Sequence, residues 1–198
     1  AEILVEEIQR RQSAVIGPGL TFEPPVRTLL KRLFLEMGVL LVVDADALNS
    51  CALIGAVPEG ECVLTPHPGE MGRLLGTSSA DVQASRFESV LEAVARFGKT
   101  VLLKGAHSVV GSPGAPLAVN LTGNPGMAVG GMGDVLSGVI GALLAQGLPA
   151  NDAATLGMIW HGLAGDLCAE KIGSVGFPAT AVADRLPAAR TRILASSG

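Results

Sequence analysis

The chain contains no tyrosine, one tryptophan and five phenylalanines in 198 residues. An aromatic share of 3% argues against a stacking platform for single-stranded nucleic acid, which needs several exposed rings. A basic excess is also missing. The formal net charge is −4, so no broad phosphate-tracking face is expected and nucleic acid is not an expected partner. Cysteine is scarce: Cys51, Cys62 and Cys168 are odd in number and scattered, with neither metal spacing nor a disulfide framework. Three buried thiols in a reducing compartment are expected. The longest strongly apolar stretch, Val135 to Leu148, is too short to span a bilayer. No secretory leader is visible. These absences lead to the expectation of a cytoplasmic protein that does not use a membrane.

Glycine (26 residues) and alanine take the place of aromatic bulk, and the hydrophobic share of 48% is enough for a real core. The length predicts one domain over residues 1–198. Short apolar runs that alternate with amphipathic helical patterns predict an α/β fold with a mostly parallel sheet. The strands are expected near Ser13 to Ile16, Val39 to Val43, Cys62 to Thr65 and Thr100 to Leu103. An antiparallel pair is expected from Ser108 to Val110 and Pro116 to Leu121. Helices are expected at Glu2 to Arg11, Pro24 to Met37, Glu70 to Leu75, Ala80 to Phe97, Gly133 to Gln146, Ala150 to Lys171 and Ala179 to Leu186. In such sheets ligands bind beyond the carboxyl ends of the strands. The polar groups of Gly17 to Gly19, Asp44 with Asp46, His67 to Glu70, and Lys104-Gly105 all fall at such ends.

The most informative segment is Asn124-Pro125-Gly126-Met127-Ala128-Val129-Gly130-Gly131-Met132-Gly133-Asp134. A glycine-dense loop stops at an acid where an apolar helical pattern begins. Glycines let backbone N–H groups approach a ligand closely, and a helix start adds unpaired donors and partial positive charge. Phosphate suits that place. A carboxylate there can take the proton of a hydroxyl that attacks phosphate. The run is not a Walker A loop, because Asp134 stands where Lys would be. The plain alternative is a glycine-rich connection with Asp134 capping a helix.

Other groups read less sharply. Asp44 and Asp46 suit a Mg²⁺ site through waters, or substrate orientation, and equally loop anchoring and helix capping. Pro66-His67-Pro68-Gly69-Glu70, with Arg73 beyond, is a stiff loop suited to an anionic or amide-bearing ligand. Lys104 suits phosphate, or a solvated strand end. His161, on a Gly/Ala-rich helix, reads as a packed and hydrogen-bonded residue rather than a ligand contact.

Taken together, these segments resemble the ADP- or ATP-dependent NAD(P)H-hydrate dehydratases of the ribokinase-like superfamily. The matching segments are Gly17-Pro18-Gly19-Leu20, Val43 to Asn49, Leu64 to Glu70, Lys104-Gly105, Asn124 to Ala128 with Gly133 to Gly138, and the His161-to-Asp166 helix. The resemblance implies a ribokinase-like three-layer α/β/α fold. It also implies repair of hydrated NADH and NADPH, NAD(P)HX, by phosphorylation of the ring hydroxyl from ADP or ATP, followed by loss of phosphate. Asp134 would be the general base, with the amides around Gly131 and Gly133 stabilising the transferring group. Lys104, Gly105, Ala106, His107 and Ser108 would line the nucleotide site, with Asn124, Pro125, Gly126, Met127, Ala128, Val129, Gly130, Gly131, Met132 and Gly133. Gly19, His67, Pro68, Gly69, Glu70, Met71, Gly72, Arg73 and Asp134 would contact the hydrated dinucleotide. Mg²⁺ would bridge the phosphates with few direct protein ligands. A homo-oligomer, a tetramer in the family, is implied, as is a companion epimerase domain upstream. The family domain has a further strand–helix–strand–helix segment before the point matching Ala1, so the chain is expected to be N-terminally truncated. The competing readings are a ribokinase-like kinase of a small hydroxylated metabolite and a nucleotide-binding module without catalysis.

Overall fold

The computed structural model describes residues 2–21, 23–36 and 38–195. Six strands form one sheet in sequential order: β1 (Ser13–Ile16), β2 (Leu40–Val43), β3 (Cys62–Leu64), β4 (Thr100–Leu103), β5 (Val109–Gly111) and β6 (Ala118–Val119). Strands β1 to β4 are parallel, while β5 and β6 are antiparallel to their neighbours. The mostly parallel sheet is therefore as expected, and so is the terminal hairpin.

Helices cover both faces, which explains why the strands read as continuous apolar runs. Alternate residues serve opposite layers. Leu41, Val43, Leu64 and Leu103 pack with Leu30 and Leu33 of α2 (Pro24–Glu36), Leu48 of α3 (Ala45–Ile54) and Met71 of α4 (Pro68–Leu75). Val42, Val63, Leu102 and Val110 pack on the other face with Ile140 of α7 (Met132–Ala145) and Met158 of α8 (Ala150–Ile172). These are the three layers. Beyond them, α9 (Ala179–Ala195) rests on α8 through Val182, Ala189, Ala164 and Cys168. The remaining helices are α1 (Glu2–Gln9), α5 (Ser79–Ala84) and α6 (Arg86–Phe97).

The register brings the strand exits to one rim. Ile16 pairs with Val43, and Val43 with Leu64. Gly17, Asp44, Thr65 and Lys104 therefore leave the sheet on the same side.

Several expected elements differ. The helix expected from Ala80 to Phe97 is two helices, broken at Ser85, where φ −135° and ψ 57° leave the helical region. A helix not foreseen, α3, starts immediately after Asp44. Helix α9 continues through Pro187 to Ala195. Proline deletes one N–H, but packing on α8 holds the helix, and the Trp160 indole donates to the Leu186 carbonyl at 2.7 Å. The Met37 end of the second expected helix lies outside the described residues.

Candidate active site

Asp44 leaves β2 as the N-cap of α3 and is buried, with 1% exposure. Its Oδ1 accepts from Ala45 N–H at 2.8 Å and from Lys104 Nζ at 2.5 Å, and its Oδ2 accepts from Ser137 Oγ at 2.5 Å. Lys104 Nζ also lies 3.8 Å from Glu70 Oε2. One ammonium thus stands between two buried carboxylates, and the exits of β2 and β4, the start of α4 and the second turn of α7 are tied together. Gly17 makes room for this corner: at φ +132°, a Cβ would sit 1.7 Å from the Asp44 carbonyl oxygen. Asp46 does not join Asp44 as an extended strand end would require. It lies in the first turn of α3 and accepts from Thr21 N–H at 2.9 Å.

His67 caps α4. Its Nδ1 accepts from Gly69 N–H at 3.0 Å and Glu70 N–H at 3.4 Å, while Glu70 Oε2 accepts from His67 N–H at 2.8 Å. This reciprocal box assigns the tautomer. With Nδ1 accepting, the ring proton sits on Nε2, 3.3 Å from Glu70 Oε1. Burial, with the positive charges of Lys104 and Arg73, holds the imidazole below its ordinary range. Burial pushes the Glu70 carboxyl up, opposed by Lys104. Arg73 is tied down by Asn49 Oδ1 at 2.8 Å and the Gly69 carbonyl at 3.1 Å.

Helix α7 starts at Met132, behind Gly131 at φ +86°. Amides of a first helical turn lack intrahelical acceptors and carry partial positive charge. The absence of a side chain at Gly133 lets this turn approach Lys104: a Cβ there would lie 3.3 Å from Nζ. Asp134 is exposed in the same turn.

These parts border a cleft of about 710 Å³. Of the residues expected at the site, His67, Pro68, the 104–108 loop, Asn124, Pro125, residues 127–129, Met132 and Gly133 line it. Gly19, Gly69, Glu70, Arg73, Gly126, Gly130, Gly131 and Asp134 are not among its lining residues, although Asp134 directly follows Gly133. Met71 is fully buried in the core, and a Cβ on Gly72 would lie 2.8 Å from the Thr77 carbonyl oxygen. Both serve packing of α4 rather than the cleft, because they lie on its inward face.

Two walls are braced by residues outside the expected site: Arg86, which the sequence did not mark, and Asp166, which it marked only as the end of a matching helix. Arg86 Nη2 donates to the carbonyls of Leu103, Lys104 and His107 at 3.3, 3.3 and 3.4 Å, so a guanidinium from α6 clamps the 104–108 loop. Asp166 of α8 accepts from Gly123 N–H at 2.9 Å and Asn124 Nδ2 at 3.0 Å. The 120–127 loop rests directly on α8. A Cβ on Gly162 would lie 2.2 Å from Thr122 Oγ1, and one on Gly165 would lie 2.2 Å from Met127 Sδ. His161 also lines the cleft, and it is not the hydrogen-bonded residue expected. It is 8% exposed, and its enclosed Nε2 has no partner among the described residues.

No group of three or more His, Cys, Asp or Glu among the described residues is arranged to hold a metal ion. The three cysteines are buried and free, and burial pushes the Cys51 and Cys62 thiols up to about 12. No helix among the described residues is long and apolar enough to cross a membrane.

The arrangement can hold an anion at the start of α7 beside Lys104 and present Asp134 next to it. The family model for NAD(P)H-hydrate dehydratase matches residues 1–188. The bifunctional NAD(P)H-hydrate repair enzyme Nnr of Moorella thermoacetica is 44% identical over 187 residues, covering 93% of this chain and 35% of the relative. The ADP-dependent (S)-NAD(P)H-hydrate dehydratase of Neisseria meningitidis serogroup B is 45% identical over 183 residues, covering 89% of this chain and 61% of the relative. Among solved structures, the ADP/ATP-dependent NAD(P)H-hydrate dehydratase from Bacillus subtilis, co-crystallised with ATP/Mg²⁺, superposes with a TM-score of 0.82. It is 30% identical, over 91% of this chain and 64% of that one. The chain spans less than two thirds of the length of each of these proteins.

Proposed function

The chain belongs to the NAD(P)H-hydrate dehydratase family, and from this premise we propose that it carries the nucleotide-dependent dehydration of hydrated NADH and NADPH. The observation that carries this reading is the meeting of Lys104, Gly133 and the start of α7 at one cleft, with Asp134 beside them. The substrate hydroxyl loses its proton to Asp134 and attacks the terminal phosphoryl group of ADP or ATP. The first-turn amides of α7 stabilise the charge on the transferring group. Phosphate then leaves with its bonding electrons, and proton loss from the ring restores the double bond. Phosphorylation matters because hydroxide leaves poorly and phosphate leaves well.

In this reading the 104–108 and 124–133 segments hold the nucleotide, while Gly19, His67, Pro68, Gly69, Glu70, Arg73 and Asp134 face the dinucleotide, Met71 and Gly72 being turned into the core. The residues present fit Mg²⁺ carried by the nucleotide rather than by the protein. Asp44 is committed to Lys104 and Ser137, Glu70 is committed to the His67 cap, and among the described residues no group of three or more His, Cys, Asp or Glu is arranged to hold a resident ion. When bound, Mg²⁺ would neutralise phosphate charge. The same proposal has residues 1–198 within a single ribokinase-like domain of a cytoplasmic homo-oligomer. The bifunctional name of the Moorella relative supports an epimerase partner domain.

The test is recovery of NADH from hydrated NADH with Mg²⁺ and ADP, ATP or no nucleotide. Recovery that requires a nucleotide supports the proposal. Accumulation of a stable phosphorylated alcohol, with no NADH recovered, would replace it with a metabolite kinase.

A further inference from the structure

We propose that Arg73 is the anion contact for a phosphate group of the dinucleotide substrate, and that Asn49 orients it without neutralising it. The proposal rests on the dinucleotide reading of the His67 side of the cleft. It adds the group that is recognised and the residue that keeps the charge available.

Arg73 is fixed by uncharged acceptors alone. Its Nε donates to Asn49 Oδ1 at 2.8 Å and its Nη1 to the Gly69 carbonyl at 3.1 Å. Arg10, Arg11, Arg32 and Arg192 each pair with a glutamate, whereas Arg73 forms no salt bridge among the described residues. A guanidinium carries its N–H donors in a rigid fork. With Nε and Nη1 engaged, both donors of Nη2 remain without a partner among the described residues. A planar, oriented and uncompensated cation of this kind suits phosphate.

Its place is the substrate side of the cleft. The point that a Cβ on Gly69 would occupy lies 2.9 Å from His67 Cε1 and 3.6 Å from Arg73 Nη1. Guanidinium and imidazole therefore flank the same glycine, and His67 and Pro68 line the cleft. Burial, and then the charges of Lys104 and Arg73, hold the His67 imidazole below its ordinary range, so the Arg73 charge is felt at the cleft wall. The start of α4 does not serve an anion itself. The amides of Gly69 and Glu70 are spent on His67 Nδ1, and Pro68 has none. Lys104 is engaged with Asp44 and faces the start of α7. On this wall the attraction for phosphate falls to Arg73.

Asn49 explains why that charge stays available. Its amide oxygen holds the guanidinium as a carboxylate would, but brings no negative charge. An aspartate there would close an ion pair and weaken the field that an incoming phosphate meets. The dinucleotide offers phosphate in two places: the diphosphate bridge common to hydrated NADH and NADPH, and the 2′-phosphate of the latter alone. The contact chemistry is the same for both.

The experiment measures binding of NADH, NADPH and ADP to the full chain by calorimetry, at low and moderate salt, for the wild type, Arg73→Gln and Asn49→Asp. Arg73→Gln is expected to weaken dinucleotide binding about tenfold and ADP binding by less than about twofold. Asn49→Asp is expected to weaken dinucleotide binding to a similar extent, with a shallower salt dependence and an unchanged or higher melting temperature. A merely structural role for Arg73 predicts the opposite for Asn49→Asp, because the added ion pair holds the side chain more firmly. Equal losses for NADH and NADPH assign the contact to the diphosphate bridge, and a loss confined to NADPH assigns it to the 2′-phosphate. The proposal is overturned if Arg73→Gln binds both dinucleotides normally, if ADP loses as much affinity as they do, or if Asn49→Asp binds them as the wild type does. If Arg73→Gln does not fold, Asn49→Asp decides alone. A wild type that recovers no NADH and binds neither dinucleotide overturns the substrate reading, and this proposal with it.

Discussion

Asp44 and Lys104, sixty residues apart in sequence, meet at 2.5 Å beyond the ends of β2 and β4. The carboxylate is also held by Ser137 and Ala45, so the pair is a structural joint on which the cleft floor stands. Removing Asp44 leaves the Lys104 ammonium with only the longer contact to Glu70, 3.8 Å away, and leaves the Ser137 hydroxyl without its acceptor. Asp44→Asn is therefore expected to cost about 3 kcal/mol of stability, read from urea unfolding. A loss below about 1 kcal/mol would mean that the pair behaves as a surface contact.

Asp134 stands apart from that joint, exposed in the first turn of α7. Asp134→Asn is expected to abolish NADH recovery while ADP affinity stays within a few-fold, measured by calorimetry. Substantial residual turnover would remove Asp134 from the role of base.

Arg86 touches three carbonyls of the 104–108 loop and is not among the residues lining the cleft. A lysine cannot reproduce that fork of donors. Arg86→Lys is expected to raise the KM for nucleotide roughly tenfold with a much smaller change in kcat. A matched fall in kcat with an unchanged KM would show that the clamp acts on chemistry rather than on loop shape.

His161 also gives the fold a pH signature. The folded imidazole is lowered by burial from 6.5 to about 4. Between these values the unfolded chain takes up a proton that the folded chain refuses. The corresponding stability is complete above pH 6.5 and is lost as the pH falls towards about 4. In the ligand-free protein, that interval corresponds to about 3 kcal/mol. His161→Gln should lack this part of the loss when unfolding is followed from pH 7 to 4, while carboxylate contributions remain common to both proteins. Parallel curves would show that the imidazole protonates without cost.

The sheet was legible because burial on both faces leaves an unmistakable pattern: Leu41 and Val43 serve one layer and Val42 the other, so the run must be apolar throughout. The rim was legible because polar residues follow such runs abruptly. Pairing across the rim was not. That Asp44 meets Lys104, while Asp46 turns away to Thr21, depends on α3 starting at Ala45, and two acids two residues apart do not announce which conformation follows. The break at Ser85 was hidden because Ala80 to Phe97 keeps a helical apolar period across it. Arg86 carries no local signal at all, since its partners are main-chain carbonyls fixed by tertiary placement. His161 was placed correctly on a packed helix, but its missing partner is a property of the surrounding space, which periodicity does not encode.

The wall formed by residues 120–127 stands on α8 at a height set by the two missing side chains of Gly162 and Gly165. A single methyl group at either position would act as a shim, shifting the loop above it as Thr122 or Met127 gave way. Asn124, Pro125 and Ala128 would keep their identities while the gap they face changed. The bore of the cleft and the chemistry of its lining are thus governed largely by different residues, so one can drift without rewriting the other.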